Sequence, residues 1–373
     1  AGGPCCSNPL PFLRAVDAVF LGDGEEALVE AVLAMRTTAE GGRRAMREAL
    51  AGVEGVYVEG LTGRARYRTH RFEEPGLPRS PIVPSAAIVH DRLSVEIARG
   101  CTRGCRFCHA GVINRPRRER SVAEIVDAVR GGLDASGWEE VSLLSLSSSD
   151  YSCLDELLAA LVPELERRRV SLAMPSLRPE TVTESLVEAS AVMRKGGFTL
   201  APEAGTERLR RVINKGMSEE EILEGCRKII DAGWQNMKLY FMIGLPTETD
   251  DDLEGIVRLV ERVLALPGGR FKLSVSVSPF VPKPHTPFQW ERQAGMDEIR
   301  RKQDYLGNRL RSRRIRLSMR DPEISLLEGL MARGDEGLWR VLERAYRLGC
   351  RFDGWRDMLR FDLWERAFFE EGR

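Results

Sequence analysis

Three cysteines stand close enough in this chain to do chemistry together. They are Cys101, Cys105 and Cys108, in the run Ala98-Arg99-Gly100-Cys101-Thr102-Arg103-Gly104-Cys105-Arg106-Phe107-Cys108-His109, spaced C-x3-C-x2-C. Thiolates grouped in this way suit an iron–sulfur cluster. A [4Fe–4S] cluster has four irons and usually takes four cysteine ligands. A loop that supplies three, with no obvious fourth, leaves one iron open to a small molecule. Two other readings compete. A structural zinc site is closed by four Cys or His ligands. His109 would then be the fourth, although it directly follows Cys108 and would strain a tetrahedral loop. Zinc spacings also tend to pair a C-x2-C with a distant second half. The last reading is a set of free thiols.

The elements that position this loop follow a β-then-α rhythm. Leu93 to Ile97 is strand-like and runs straight into the cysteines. Ser121, with Glu124 three residues on, opens a helix as a capping box. Further apolar strands are expected at 141–146, 170–174, 198–201, 237–243 and 271–279. Helices are expected at 153–169, after the 170–174 strand through about 194, after Ser218 (with Glu221) and at 250–266. Near-continuous apolar strands alternating with helices imply a parallel sheet. The expected fold is α/β: a partial, six-stranded parallel β/α barrel, with chemistry in the loops after the strand ends. A boundary scheme follows: 1–60 a strand–turn–helix remnant, 61–90 a linker, 91–290 the barrel, and 291–373 a charged, helical C-terminal extension.

With 373 residues, 43% hydrophobic and 30% charged, the chain can build a full core and more than one domain. Lys plus Arg and Asp plus Glu each number 56, so no global field directs the chain to nucleic acid or membrane. No stretch approaches the roughly 18 apolar residues of a membrane span, and no signal-peptide pattern is seen. Eight cysteines with three clustered do not form a disulfide scaffold. A reducing, cytoplasmic setting suits thiolate ligands better. Cys5, Cys6, Cys153, Cys226 and Cys350 are read as small buried apolar residues. The opening Ala1-Gly2-Gly3-Pro4 reads as the end of a buried strand, so the chain is expected to be a fragment at its N-terminus.

The cysteine loop, with Phe107 before the last cysteine, resembles the signature of the radical S-adenosylmethionine (SAM) superfamily. That resemblance implies a [4Fe–4S] cluster on Cys101, Cys105 and Cys108, with SAM chelating the open iron. It implies reductive cleavage of SAM to a 5′-deoxyadenosyl radical, an external flavodoxin- or ferredoxin-like electron donor, and Phe107 packing near the adenine. Later strand ends add to it. Ser145 to Tyr151 matches, by position only, the family's Gly-Gly-Glu segment, so Ser148, Ser149 and Asp150 are candidates to hold the SAM amine. Ala201-Pro202-Glu203-Ala204-Gly205-Thr206, followed by Ile213-Asn214-Lys215, resembles a segment of the methylthiotransferases. There Glu203 takes the place of a ribose contact. Lys215 takes that of an Arg on the carboxylate, as a point charge rather than a fork. Met242-Ile243-Gly244-Leu245-Pro246-Thr247-Glu248-Thr249 resembles the family's Gly-x-Pro-x-Glu-Thr turn, with Gly244 beside the adenine. Ser278 to Trp290 resembles a proline-stiffened loop over the barrel mouth. His285 there is read as an acid/base group, a substrate contact or a structural residue, and Phe288 and Trp290 as packing.

The N-terminal piece resembles the last strand and helix of a Rossmann-like cobalamin-binding domain, with Gly2-Gly3 as its glycine pair. Cobalamin would then belong to a longer form of the chain. Together with the proline loop and Cys350 to Trp355, it is similar to an uncharacterised radical SAM family with such a domain. No set of further cysteines marks an auxiliary cluster, so a single-cluster enzyme is expected. A basic strip at 299–320 can bind RNA phosphates or form a solvated face balanced by acids. Two functions stand. One is a radical enzyme abstracting hydrogen, or transferring methyl from cobalamin, on RNA or a small molecule. The other is a non-catalytic iron–sulfur or RNA-binding protein that keeps the barrel as scaffold.

Overall fold

The structure is a computed structural model, and residues 1–72, 76–174, 178, 198–267 and 271–372 are described. Its short elements at the N-terminus are β1 (Val19–Phe20) and β2 (Val56–Tyr57), which pair antiparallel. The helix Glu25–Thr38 follows β1, as expected, but runs further, and a second helix, Gly42–Ala51, occupies part of the stretch expected to be loose.

The barrel strands are β3 (Leu93–Glu96), β6 (Glu140–Leu144) and β7 (Ser171–Ala173) in one parallel sheet. A second parallel sheet contains β8 (Phe198–Glu203), β9 (Asn236–Ile243), β10 (Lys272–Pro279) and β11 (Ile315–Met319), in the order β11-β10-β9-β8. The two-residue strands β4 (Ala98–Arg99) and β5 (Arg118–Glu119) form an antiparallel clip across the cysteine loop. Six barrel strands are expected from sequence, and all six are present. The second sheet then continues with a seventh: β11, from the stretch read as charged and helical, runs parallel to β10 from Leu273↔Ile315 to Val277↔Met319. The helix expected before residue 194 lies outside the described residues.

Alternation explains which face is covered. Leu273, Val275 and Val277 of β10 and Met237, Leu239 and Phe241 of β9 are buried in one cluster with Ile256, Val260, Ile299 and Leu306 of the flanking helices. Side chains two apart share a face, so the intervening residues point away from the helices. Caps start the helices where sequence puts them. Ser218 and Glu221 form a complete capping box. At Ser121 only half forms: its hydroxyl accepts the Glu124 N–H at 3.2 Å. The Glu124 carboxylate instead binds Arg120 and the Leu77 N–H. Among the described residues, no helix is long and apolar enough to cross a membrane.

Candidate functional site

Cys101, Cys105 and Cys108 lie on the loop between β4 and the short helix His109–Ile113, at the C-terminal end of the first barrel strand. All three are partly exposed and none is paired. The loop is tied down from other strand ends. The Asn214 side-chain amide donates to the Gly104 carbonyl at 2.8 Å, and the Arg106 N–H donates to the Ile213 carbonyl at 2.9 Å. The Phe288 N–H donates to the Arg106 carbonyl at 3.3 Å. Phe107 packs against a small core that includes Leu209, Ile213, Phe280 and Phe288, with Met242 alongside.

Burial pushes the Cys105 and Cys108 thiols up, and the Lys215 ammonium pulls both back toward the thiolate. Each of these cysteines lies within electrostatic reach of another of the triad and of Glu203. Among the described residues, no three His, Cys, Asp or Glu side chains gather closely enough to hold a single metal ion. Three cysteines in one loop are a donor set that fits an iron–sulfur cluster, whose thiolates sit on separate irons.

The structure brings Glu203 and Lys215 together beside the cysteines. Lys215 Nζ donates to Glu203 Oε1 at 3.2 Å, with side chains 11% and 16% exposed. Burial raises the Glu203 carboxyl, and Lys215 opposes it. The buried Arg210 shapes the segment between them, donating to the carbonyls of Ala204 at 3.0 Å and Met217 at 2.9 Å. Thr206 caps the next helix and donates to the buried Asp252, which accepts the Thr249 N–H at 2.8 Å. Asp252 thereby couples the turn after β8 to the turn after β9.

Ser148, Ser149 and Asp150 form a short 3-10 turn after β6. Ser148 is buried and donates to the Leu143 carbonyl, and Ser149 accepts the Arg178 N–H. Asp150 is gripped by Arg103 of the cysteine loop, Nε to Oδ2 at 2.8 Å. Burial opposes its ionisation, but Arg103 outweighs this and holds the carboxyl below the usual range. Gly244 ends β9 with φ 76°, and a Cβ there would lie 3.0 Å from Ala294 and Ile299. This glycine serves the packing of its own turn. Glu203, Asn214, Thr247 and His285 all hold positive φ between 55° and 69°. Such backbone is sparsely populated by non-glycine residues and gathers at functional loops.

The His285 Nε2 donates to the Ser7 carbonyl at 2.9 Å, a contact that agrees with the structural reading of that residue. Other expectations are corrected. Trp290 does not pack; it is 86% exposed, whereas Phe288 is buried edge-on to Phe280. Cys5 and Cys153 are exposed, not buried. The basic strip is balanced by acids in part: Arg301 pairs with Asp250, Lys302 with Glu248 and Glu298, Arg309 with Glu254, and Arg320 with Glu328, while Arg311, Arg313, Arg314 and Arg316 have no ion pair among the described residues. Sequence reasoning gave no role to Ser7, Arg103, Asn214 or Asp252. Their partners are between about 45 and 280 residues away or unmarked by spacing.

A cavity of about 1200 Å³ lies between the N-terminal piece and the ends of β3 and β6. Gly2, Gly3, Asp23, Arg99, Asn114 and Leu146 are among its walls.

The family model "Radical SAM superfamily" matches residues 95–260, and "Radical SAM proteins, N-terminal" matches residues 1–59. The uncharacterized protein MJ0966 of Methanocaldococcus jannaschii is 34% identical over 349 residues, covering 92% of this chain and 72% of that protein. The chain belongs to the radical SAM superfamily. As a radical SAM protein it is an enzyme of a family that uses a [4Fe–4S] cluster and SAM, with its own reaction unassigned. The threonylcarbamoyladenosine tRNA methylthiotransferase MtaB of Treponema pallidum is 26% identical over 240 residues, 61% of this chain and 47% of that protein. The solved structure of the cobalamin-dependent SAM radical enzyme OxsB, with aqua-cobalamin and SAM bound, superposes with a TM-score of 0.56 at 13% identity. It covers 100% of this chain and 58% of that one. The likeness shows a shared radical SAM fold along the chain. The chain spans about half the length of the methylthiotransferase it matches.

Proposed function

We propose that Cys101, Cys105 and Cys108 hold the [4Fe–4S] cluster and that the surrounding strand ends hold SAM. When bound, the pair supplies a 5′-deoxyadenosyl radical by one-electron cleavage of SAM. The observation that carries this reading is the meeting of the cysteine loop with the Glu203–Lys215 ion pair at the barrel mouth. Lys215 offers a cation for the SAM carboxylate, and Glu203 an acceptor for the ribose hydroxyls. Ser149 and Asp150 border the amine position, Phe107 offers an apolar wall, and the Gly244 turn closes the adenine side. That radical chemistry would serve hydrogen abstraction from a substrate held in the barrel. The electron comes from a flavodoxin- or ferredoxin-like donor, and a cytoplasmic setting suits that supply.

The 1200 Å³ cavity supports a second cofactor. It exceeds the roughly 300–1000 Å³ typical of small-molecule pockets and adjoins Gly2 and Gly3. Cobalamin fits a site of this size, and a methyl group from it would then go to the substrate position from which hydrogen had been abstracted.

Anaerobic reconstitution with iron and sulfide, then dithionite and SAM, tests the first reading. The expected result is 5′-deoxyadenosine from the wild type and none from C105A. Equal amounts from both, or none from either, overturn it. Retention of aqua-cobalamin absorbance after gel filtration tests the second.

A further inference from the structure

On the face of the second sheet that points away from the helices, Lys238 and Arg316 stand without an acid partner among the described residues, and Lys272 shares that face at the start of β10. Lys238 of β9, Ser274 of β10 and Arg316 of β11 are register partners in one row across three strands. The neighbouring row holds Tyr240, Ser276 and Ser318. Their common side follows from burial. Ile315, Leu317 and Met319 pack on the helix-covered core, so Arg316 and Ser318 project from the opposite face. Ser318 Oγ donates to Ser276 Oγ at 3.3 Å, which places both on that face.

Among the described residues, neither Lys238 nor Arg316 has an ion pair. Lys238 instead lies over the Tyr240 ring, 4.5 Å from its centroid. Arg309 and Arg320, on either side of β11, are paired with acids, whereas Arg311, Arg313 and Arg314 in the turn before it are not, among the described residues. Strands lie about 4.8 Å apart, so the Cα atoms of Lys238 and Arg316 are about 10 Å apart. Two long side chains at that spacing can meet over one anion. Tyr240 is two residues below Met242, about 7 Å along the strand, and Met242 packs with the core that holds Phe107. The row therefore lies on the inward face of the sheet, below the level of the cysteine loop, with Arg316 and Ser318 exposed at the edge strand.

We propose that this row binds a phosphate group of the substrate, an inference that rests on the radical reading of the site above. Two cations with three serine hydroxyls offer more donors than a carboxylate can use. A phosphate, with up to two charges and three acceptor oxygens, uses them. Binding it here anchors one end of the substrate at the solvent-open edge of this sheet and leaves its other end toward the cysteine loop.

The test is calorimetric titration of the reconstituted full chain, without SAM, with inorganic pyrophosphate. Wild type binds. K238M/R316M binds at least tenfold more weakly, and K238R/R316K stays within threefold of wild type, which excludes misfolding. R311M/R313M, in the turn before β11, binds as wild type does. Equal binding by wild type and K238M/R316M overturns the proposal, as does loss confined to R311M/R313M or no binding by wild type at millimolar pyrophosphate. Competition distinguishes two sources of the phosphate. Displacement by a 12-nucleotide single-stranded RNA, weakening steeply with salt, supports a polynucleotide; displacement by ribose 5-phosphate alone supports a small phosphoester. No SAM is present, so the result stands apart from 5′-deoxyadenosine formation. Absence of that product overturns the function, whereas an unchanged pyrophosphate affinity overturns only this site.

Discussion

The Ser7 carbonyl oxygen accepts a hydrogen bond from the His285 imidazole at 2.9 Å, across 278 residues of chain. The Ser7 hydroxyl lies 2.8 Å from Nε2 of His109, the residue after the last cysteine. One N-terminal residue thus fastens the proline loop to the cysteine loop. A neutral hydrogen bond of this kind contributes about 1 kcal/mol. S7A is expected to lower stability by about that much in urea titration, and H285A by a similar amount. The double variant should cost measurably less than the sum, because both changes loosen one junction. Strict additivity would show that the two contacts act separately.

Acid should loosen the N-terminal piece through Asp23. Its carboxylate accepts the His70 N–H at 2.8 Å and pairs with Arg118 at 2.6 Å and Arg99 at 2.9 Å. Burial opposes its ionisation, but these partners prevail and hold its carboxyl below the usual range. The folded state therefore binds fewer protons than the unfolded state as the pH approaches the unfolded value. Its contribution is complete above that value and lost as the pH falls through the folded one. The gap in urea midpoint between wild type and D23N should narrow between about pH 5 and about pH 3. A gap independent of pH would contradict this.

Gly244→Ala places a Cβ at φ 76° and 3.0 Å from Ala294 and Ile299. The backbone conformation alone costs about 1–3 kcal/mol for a residue with a side chain. A lower melting temperature is expected, and I299V should recover part of it by making room. No recovery would assign the whole effect to the backbone.

Lys302 pairs with Glu248 at 2.7 Å and with Glu298 at 2.9 Å. Glu248 also accepts the Leu245 N–H at 3.3 Å, within the turn that follows β9. Lys302 and Glu248 are only 5% and 2% exposed. Removing one member of such a pair strands a buried charge and costs about 3–5 kcal/mol. K302M should shift the denaturation midpoint accordingly, and adding E248Q should return much of the loss. If E248Q brings no recovery, the loss belongs to lysine packing rather than to the charge.

Local signals were readable in the sequence; long-range ones were not. The cysteine triad needs only spacing, β9 announces itself by apolar composition, and β10 by strict alternation of Leu and Val with Ser. β11 escaped notice because Ile315-Arg316-Leu317-Ser318-Met319 is half polar and preceded by arginines, so it reads as a charged strip. It is an edge strand with one wet face, where period two replaces the continuous apolar run. Arg103–Asp150 and Asn214–Gly104 escaped because nothing along the chain marks residues that folding brings together. Cys153 was misread because it stands at the exposed start of a helix, where solvent rather than packing meets the thiol.

The placement of β11 has an evolutionary consequence. Arg316 and Ser318 come from the last fifth of the chain, yet they share a face with Lys238 and Ser276. Recombination between relatives at residue 290, where the sequence suggests a seam, would pair one parent's Lys238 with the other's Arg316. A hybrid joined there keeps the β10–β11 register only if the two parents' strands still fit each other, so the stretch after residue 290 belongs structurally with the barrel.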